Sequence, residues 1–177
     1  MDTTAYDQFL RAKFVKTQTN GIEVLDLHPV LYDFQRDICQ WALRKGSAAV
    51  FAAPGMGKTL IQCEWARHIP GRVLLFAPLA VTHQTVREAQ DKLGMVIQYA
   101  RHQDAITERV VITNYEMWPH FTGLDIAGIV LDESGILKSL VGKTRQALTT
   151  YFAHVPYKLC CTATPAPNDV AEIANHA

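Results

Sequence analysis

Short apolar runs alternate with longer stretches of helical periodicity along most of this chain. The runs are AAVFAA (48–53), RVLLFA (72–77), MVIQYA (95–100), RVVIT (109–113), AGIVLD (127–132) and YKLCCTAT (157–164). Each is continuous rather than alternating and several are rich in Val and Ile, a pattern that suits strands covered on both faces. The intervening segments 31–45, 58–68, 80–92 and 139–153 carry apolar residues at helical spacing. Strand–helix alternation predicts an α/β fold: a parallel sheet with helices on both faces. Right-handed crossovers then bring the strand C-terminal ends to one edge, where open α/β sheets bind ligands.

No internal repeat or low-complexity linker interrupts the pattern. Residues 1–30 precede the first convincing helix and read as an N-terminal extension, and 31–177 as one lobe. NDVAEIANHA (168–177) reads as a helix that reaches Ala177 without a capping glycine, so the chain is expected to be cut from a longer one.

With 49% apolar and 19% charged residues in 177, the composition is that of a globular domain able to bury a core. A formal charge of zero advertises neither nucleic acid nor membrane, so any polymer contact must be local. Cys39, Cys63, Cys160 and Cys161 form no CxxC pair, and the histidines lack metal-ligand spacing. MDTTAYDQFLRAKF is not a signal peptide, and no run reaches the length of a membrane span. A reduced, cytoplasmic protein without a structural metal site is the expectation.

One turn changes the picture. FAAPGMGKTL (51–60) sits between an apolar strand and an amphipathic helix start, and its end fits the phosphate-loop pattern G-x-x-x-x-G-K-[ST]. Gly57, Lys58 and Thr59 close it, Gly55 adds freedom inside it, and Ala52 stands where the pattern wants its first glycine. The turn Pro54–Leu60 would surround phosphates at a helix N-terminus with backbone N–H groups, Gly55, Met56 and Gly57 among the donors and Pro54 shaping the turn. Lys58 would reach the β- and γ-phosphates and the Thr59 hydroxyl would hold magnesium. A strand–helix turn that merely contains GKT is the bland alternative.

A second segment weighs against that alternative. GIVLDES (128–134) is an apolar strand that ends in Asp132-Glu133. A phosphate-loop enzyme needs a carboxylate at a neighbouring strand end to hold magnesium, here Asp132. Glu133 is placed to take a proton from an attacking water. An acidic helix cap accounts for one carboxylate, not for the pair beside the loop. Together the two segments favour magnesium–nucleotide binding.

Further segments stand around these two: LYDFQRDICQWAL (31–43), LLFAPLAVTHQ (74–84), VVITNYEMW (110–118), LDESGILKSLVGKTRQAL (131–148) and LCCTATPAPNDVAEI (159–173). In that order, and over nearly the whole chain, they resemble superfamily-two helicases and translocases. The Swi/Snf-type branch and related DEAD/DEAH-like phage helicases are the nearest in pattern. The resemblance implies a RecA-like ATP-binding lobe with ATP and Mg2+ as cofactors. It also implies that Gln35 bonds the adenine edge and that Pro78, Thr113 and Tyr115 touch a nucleic-acid backbone. Leu137, Lys138 and Lys143 match the branch's pattern after Asp-Glu. Thr162, Ala163, Thr164, Pro165 and Asn168 match its coupling segment, Thr162 and Thr164 being the coupling residues. Read locally, Gln35 is a solvated helix residue, while Pro78 and Tyr115 mark strand ends. Ser134 and Gly135 stand where the family usually has Ala-His or Ala-Asp, and Gly135 has no side chain to reach Thr162 or Thr164.

Family members work with two such lobes, the second bringing an arginine to the transferring phosphate. Losing such an arginine costs roughly 10³–10⁵ in rate in related phosphate-loop enzymes. The expectation is therefore one half of a nucleic-acid-dependent ATPase motor, with weak or no turnover alone. Its partners would be DNA, favoured over RNA, and a second RecA-like lobe; its setting would be a bacterial or phage-infected cytoplasm. Two other classes stay open: a phosphate-loop small-molecule kinase, and a nucleotide-gated interaction module without turnover.

Overall fold

The structure is a computed structural model that describes residues 20–134 and 142–165. It contains a six-stranded, all-parallel sheet. The chain runs α1 (Asp33–Lys45), β1 (Ser47–Phe51), α2 (Lys58–His68), β2 (Val73–Phe76), α3 (Leu79–Leu93), β3 (Gln98–Tyr99), β4 (Val110–Thr113), β5 (Gly128–Leu131), α4 (Gly142–Phe152) and β6 (Tyr157–Thr162). Spatial order across the sheet is β1-β6-β5-β2-β4-β3, so β6 lies between the strand that leads into the glycine turn and the strand that ends in Asp132.

Every expected strand is present, and the reason is visible in burial. All positions of β2, β4 and β5 are buried, which is why their sequences are continuous rather than alternating. Successive side chains still point to opposite faces. Val73 and Leu75 pack with Val110, Ile112, Val130 and Leu159 beneath α1, α2 and α3. Leu74 and Phe76 pack with Val111, Ile129 and Leu131 against Leu148 and Phe152 of α4 and against Phe121. Helices therefore cover both faces. The run at 95–100 is paired only at Gln98–Tyr99, because β3 is an edge and has only β4 to bond. Tyr115–Phe121 forms a 3-10 helix that the periodicity did not announce, with Pro119 inside it. The expected helix 139–153 is described from Gly142, and its earlier residues lie outside the described ones, as does 168–177. Among the described residues no helix is long and apolar enough to cross a membrane.

α2 is the centre of the helical layer, packed between α1 and α3 and buried continuously from Ile61 to Ala66. Two of those buried residues are polar, Gln62 and Glu64. Glu64 anchors residues 20–31: its Oε1 accepts the His28 N–H at 2.8 Å and lies 2.9 Å from His68 Nε2, with Arg67 3.6 Å from Oε2. Burial works to raise the Glu64 carboxyl, but the bonds from His68 and the His28 N–H, with Arg67 nearby, hold it below the ordinary value. Glu64→Ala is expected to lower unfolding free energy by about 2–3 kcal/mol, read by urea denaturation. A depressed folded value means this stabilisation is present above the unfolded value of ~4.3 and lost as pH falls through the folded one. The gap between wild type and variant should therefore narrow below about pH 4.

Candidate functional site

The turn between β1 and α2 opens at the C-terminal edge of the sheet, as expected for an open α/β fold. Its first residue settles the departure at Ala52. That residue still belongs to the sheet ladder, its N–H donating to Thr162 O at 3.2 Å, and its φ is not positive. No glycine is required there. The left-handed positions are Gly55 (φ +82°) and Gly57 (φ +72°), where glycine is needed. Gly57 is also a close approach, since a Cβ there would sit 2.3 Å from Gln35 Nε2. Pro54 and Met56 complete the turn, the Met56 N–H donating to Ala53 O at 3.3 Å.

Lys58 and Thr59 open α2, where first-turn N–H groups have no carbonyl one turn back and the helix dipole favours an anion. Lys58 Nζ donates to Ala52 O at 3.0 Å and Ala53 O at 3.5 Å, so the ammonium rests on the turn's own carbonyls. Leu60 points away from this chemistry and packs against the core.

Across the opening, Asp132 and Glu133 follow β5. Asp132 Oδ1 accepts from Gln62 Nε2 at 2.6 Å, and its main-chain carbonyl accepts from the Tyr115 hydroxyl at 2.7 Å. Burial pushes its carboxyl above the ordinary aspartate value and Glu133 adds to the rise; the Gln62 and Glu133 hydrogen bonds and Lys58 oppose it. Glu133 has φ +48°, the one described non-glycine residue with positive φ. That backbone costs about 1 kcal/mol for a residue with a Cβ, and it sits at the candidate site. Glu133 Oε2 accepts from Thr162 Oγ1 at 3.4 Å, and Thr162 Oγ1 in turn accepts the Thr164 N–H at 3.1 Å. The end of β6 thus reaches Glu133 itself. Ser134, beside it, is buried, and Gly135 lies outside the described residues.

Gly55, Gly57, Lys58, Thr59, Asp132 and Glu133 line one cavity of 340 Å³, closed on its far side by Gln84, Thr85 and Glu88 of α3. Among the described residues one cation, Lys58, faces three carboxylates there. A polyphosphate entering alone would meet net repulsion, and a divalent cation would remove it. The residues fit a magnesium–nucleotide: a helix N-terminus and lysine for phosphate, a hydroxyl and a half-buried carboxylate for the metal.

The structure places the other expected residues differently. Gln35 is 3% exposed, and both ends of its amide are engaged: Oε1 accepts the Tyr32 N–H at 3.0 Å and Nε2 donates to Met56 O at 3.1 Å. It is a buried strut between α1 and the turn rather than a solvated residue. Thr113 and Tyr115 are buried, at 0% and 2% exposure; the 3-10 helix folds over the strand end and turns Tyr115 onto the Asp132 carbonyl. Pro78, at the end of β2 and the start of α3, keeps partial exposure on the ligand edge. Leu137, Lys138 and Asn168 lie outside the described residues, as does the Lys143 side chain.

Gln62 and Glu88 were missed. Gln62 had a signal: it stands one helical turn after Lys58, on the same face, in an otherwise apolar stretch. Glu88 had none, because its place at the cavity depends on how α3 crosses α2.

No family model matches the chain, and no curated protein matches it by sequence. Solved structures do match. The Sulfolobus solfataricus SWI2/SNF2 ATPase core in complex with double-stranded DNA aligns with TM-score 0.70 and 18% identity, over 88% of this chain and 37% of that one. The UvsW helicase of bacteriophage T4 aligns with TM-score 0.64 and 14% identity, over 99% of this chain and 65% of that one. The Hef helicase domain of Pyrococcus furiosus gives TM-score 0.67 and 15% identity, over 86% and 37%. This chain thus spans between 37% and 65% of the length of these structures. The fold, an all-parallel six-stranded sheet with helices on both faces, is a RecA-like domain similar to those of these three structures.

Proposed function

We propose that this chain is the ATP-binding lobe of a nucleic-acid-dependent ATPase, a helicase or DNA translocase that hydrolyses ATP to ADP and phosphate when paired with a second lobe. The observation that carries the reading is the convergence of Lys58, Thr59, Asp132 and Glu133 on one cavity at the strand ends. Lys58 exchanges the carbonyls of Ala52 and Ala53 for the β- and γ-phosphates, and the first-turn N–H groups of α2 hold the phosphate oxygens. Thr59 and Asp132 would hold Mg2+, which when bound supplies charge neutralisation at the phosphate oxygens. Glu133 orients a water for in-line attack on the γ-phosphorus and takes its proton; the bond to the bridging oxygen breaks and ADP leaves with that electron pair. Thr162 and Thr164 tie Glu133 to the end of β6, so a change at the cavity can reach that segment. Glu133 in the cavity favours turnover over a binding module that has no use for a base.

The arginine for the transferring phosphate is expected from a second RecA-like lobe. The experiment is ATP hydrolysis by this chain with and without single-stranded and duplex DNA and RNA. Bound magnesium–ATP with turnover stimulated by DNA, or with turnover appearing only when a second lobe is supplied, supports the reading. Failure to bind magnesium–ATP overturns it.

Gln35 is assigned to adenine choice, a role that requires its amide to leave Met56 O. Gln35→Ala is expected to reduce the preference for ATP over GTP in competition binding, since an amide bonds both N6 and N7 of adenine. Equal discrimination before and after removes Gln35 from the base site and leaves it as a strut of the turn.

A further inference from the structure

Gln62 is the least explained residue of α2. It is 1% exposed, and a buried amide without partners is costly, whereas an aliphatic side chain would suit the surrounding Ile61, Cys63, Trp65 and Ala66. Its amide instead reaches across to β5 and donates to Asp132 Oδ1 at 2.6 Å. The same side chain lies within hydrogen-bonding reach of the Cys161 thiol of β6. Asp132 is thereby held at two points, its carbonyl by Tyr115 and its carboxylate by Gln62. One carboxylate oxygen committed to α2 fixes the plane and rotamer of the group at the cavity wall. That orientation matters because, among the described residues, no three His, Cys, Asp or Glu side chains converge to hold an ion. A metal at this site would depend on one carboxylate, one hydroxyl and the phosphates.

Resting on the nucleotide reading above, we propose that Gln62 is a positioning residue for the metal, presenting Asp132 to the magnesium–nucleotide by a hydrogen bond made before either arrives. Partners of a metal ligand typically set roughly 10–100-fold in metal affinity. Lys58 and Gln62 are one turn apart on α2, so the same helix sets the phosphate lysine and the metal carboxylate in register.

The test is a titration of the whole chain with a methylanthraniloyl-ATP probe, in EDTA and then against increasing magnesium. Gln62→Met conserves volume and removes the donor. It is expected to raise the half-saturating magnesium roughly 10–100-fold while leaving probe affinity in EDTA unchanged. A magnesium curve that coincides with wild type overturns the proposal. So does an equal loss in EDTA, the mark of a purely structural role. Should Gln62→Met fail to fold by circular dichroism, Gln62→Asn keeps an amide one methylene too short. It must show the same displaced magnesium curve, and a wild-type curve overturns the proposal. Wild-type protein that binds no probe with magnesium overturns the nucleotide reading itself, whereas normal wild-type binding with unshifted variants overturns only the role of Gln62.

Discussion

Lys58→Ala is expected to abolish magnesium–ATP binding at millimolar nucleotide while leaving the fold intact. Among the described residues the lysine ammonium bonds to the carbonyls of Ala52 and Ala53, on a turn that is largely open to solvent. Water can replace it there, so truncation leaves no buried group unpaired and little stability is at stake. With nucleotide present the balance differs. Among the described residues Lys58 is the one cation lining a cavity with three carboxylates, and removing it leaves phosphates facing Glu88, Asp132 and Glu133 with magnesium and the helix N-terminus in support. Losing one partner of such a charge pair costs on the order of 2–5 kcal/mol, or ~30- to several-thousand-fold in affinity. Probe titration with a parallel circular dichroism spectrum decides the matter. Normal affinity in a folded variant would sink the phosphate-loop assignment.

Glu133→Gln should preserve ATP affinity and remove hydrolysis. The amide keeps an oxygen that can accept from Thr162 Oγ1 and keeps the side-chain volume, so the cavity and the link to β6 stay in place. What is lost is a site for the proton of the attacking water, worth typically 10²–10⁴ in rate. Single-turnover conversion of labelled ATP, with protein in excess and sampled over hours, reads even the slow rate expected of one lobe. Intact ATP in the variant against ADP in wild type is the expected result. Equal conversion would take the base role away from Glu133 and turn attention to a water held by another group. Its backbone supports the assignment in a different way. A non-glycine residue at φ +48° is held there against its own preference, and strained backbone of this kind concentrates where a side chain must be aimed.

Thr113 and Tyr115 show where local reading stops. Thr113 ends β4 and Tyr115 opens the 3-10 helix after it, at the C-terminal edge of the sheet. The 3-10 helix after β4 carries Pro119 and closes over the strand end, stacking Tyr115 on Phe76 and turning its hydroxyl to the Asp132 carbonyl. Nothing in NYEMW distinguishes a tyrosine that faces a polymer from one that faces the core. Gln35 shows the opposite case, since its amide touches the glycine turn before α2, at a point that only folding reveals.

Whatever depends on neighbours along the chain was already written in the order of residues. Continuous apolar runs became strands buried on both faces, Gly55 and Gly57 became the left-handed corners of the turn, and the helix began at Lys58. Packing alone decided what depends on which strand lies beside which. The order β1-β6-β5-β2 sets Asp132 against α2, so that Gln62 meets a carboxylate 70 residues away, and sets Thr162 beside Glu133 across 29. Periodicity encodes which side of an element is apolar, whereas the partner on that side follows from the free energy of the whole core.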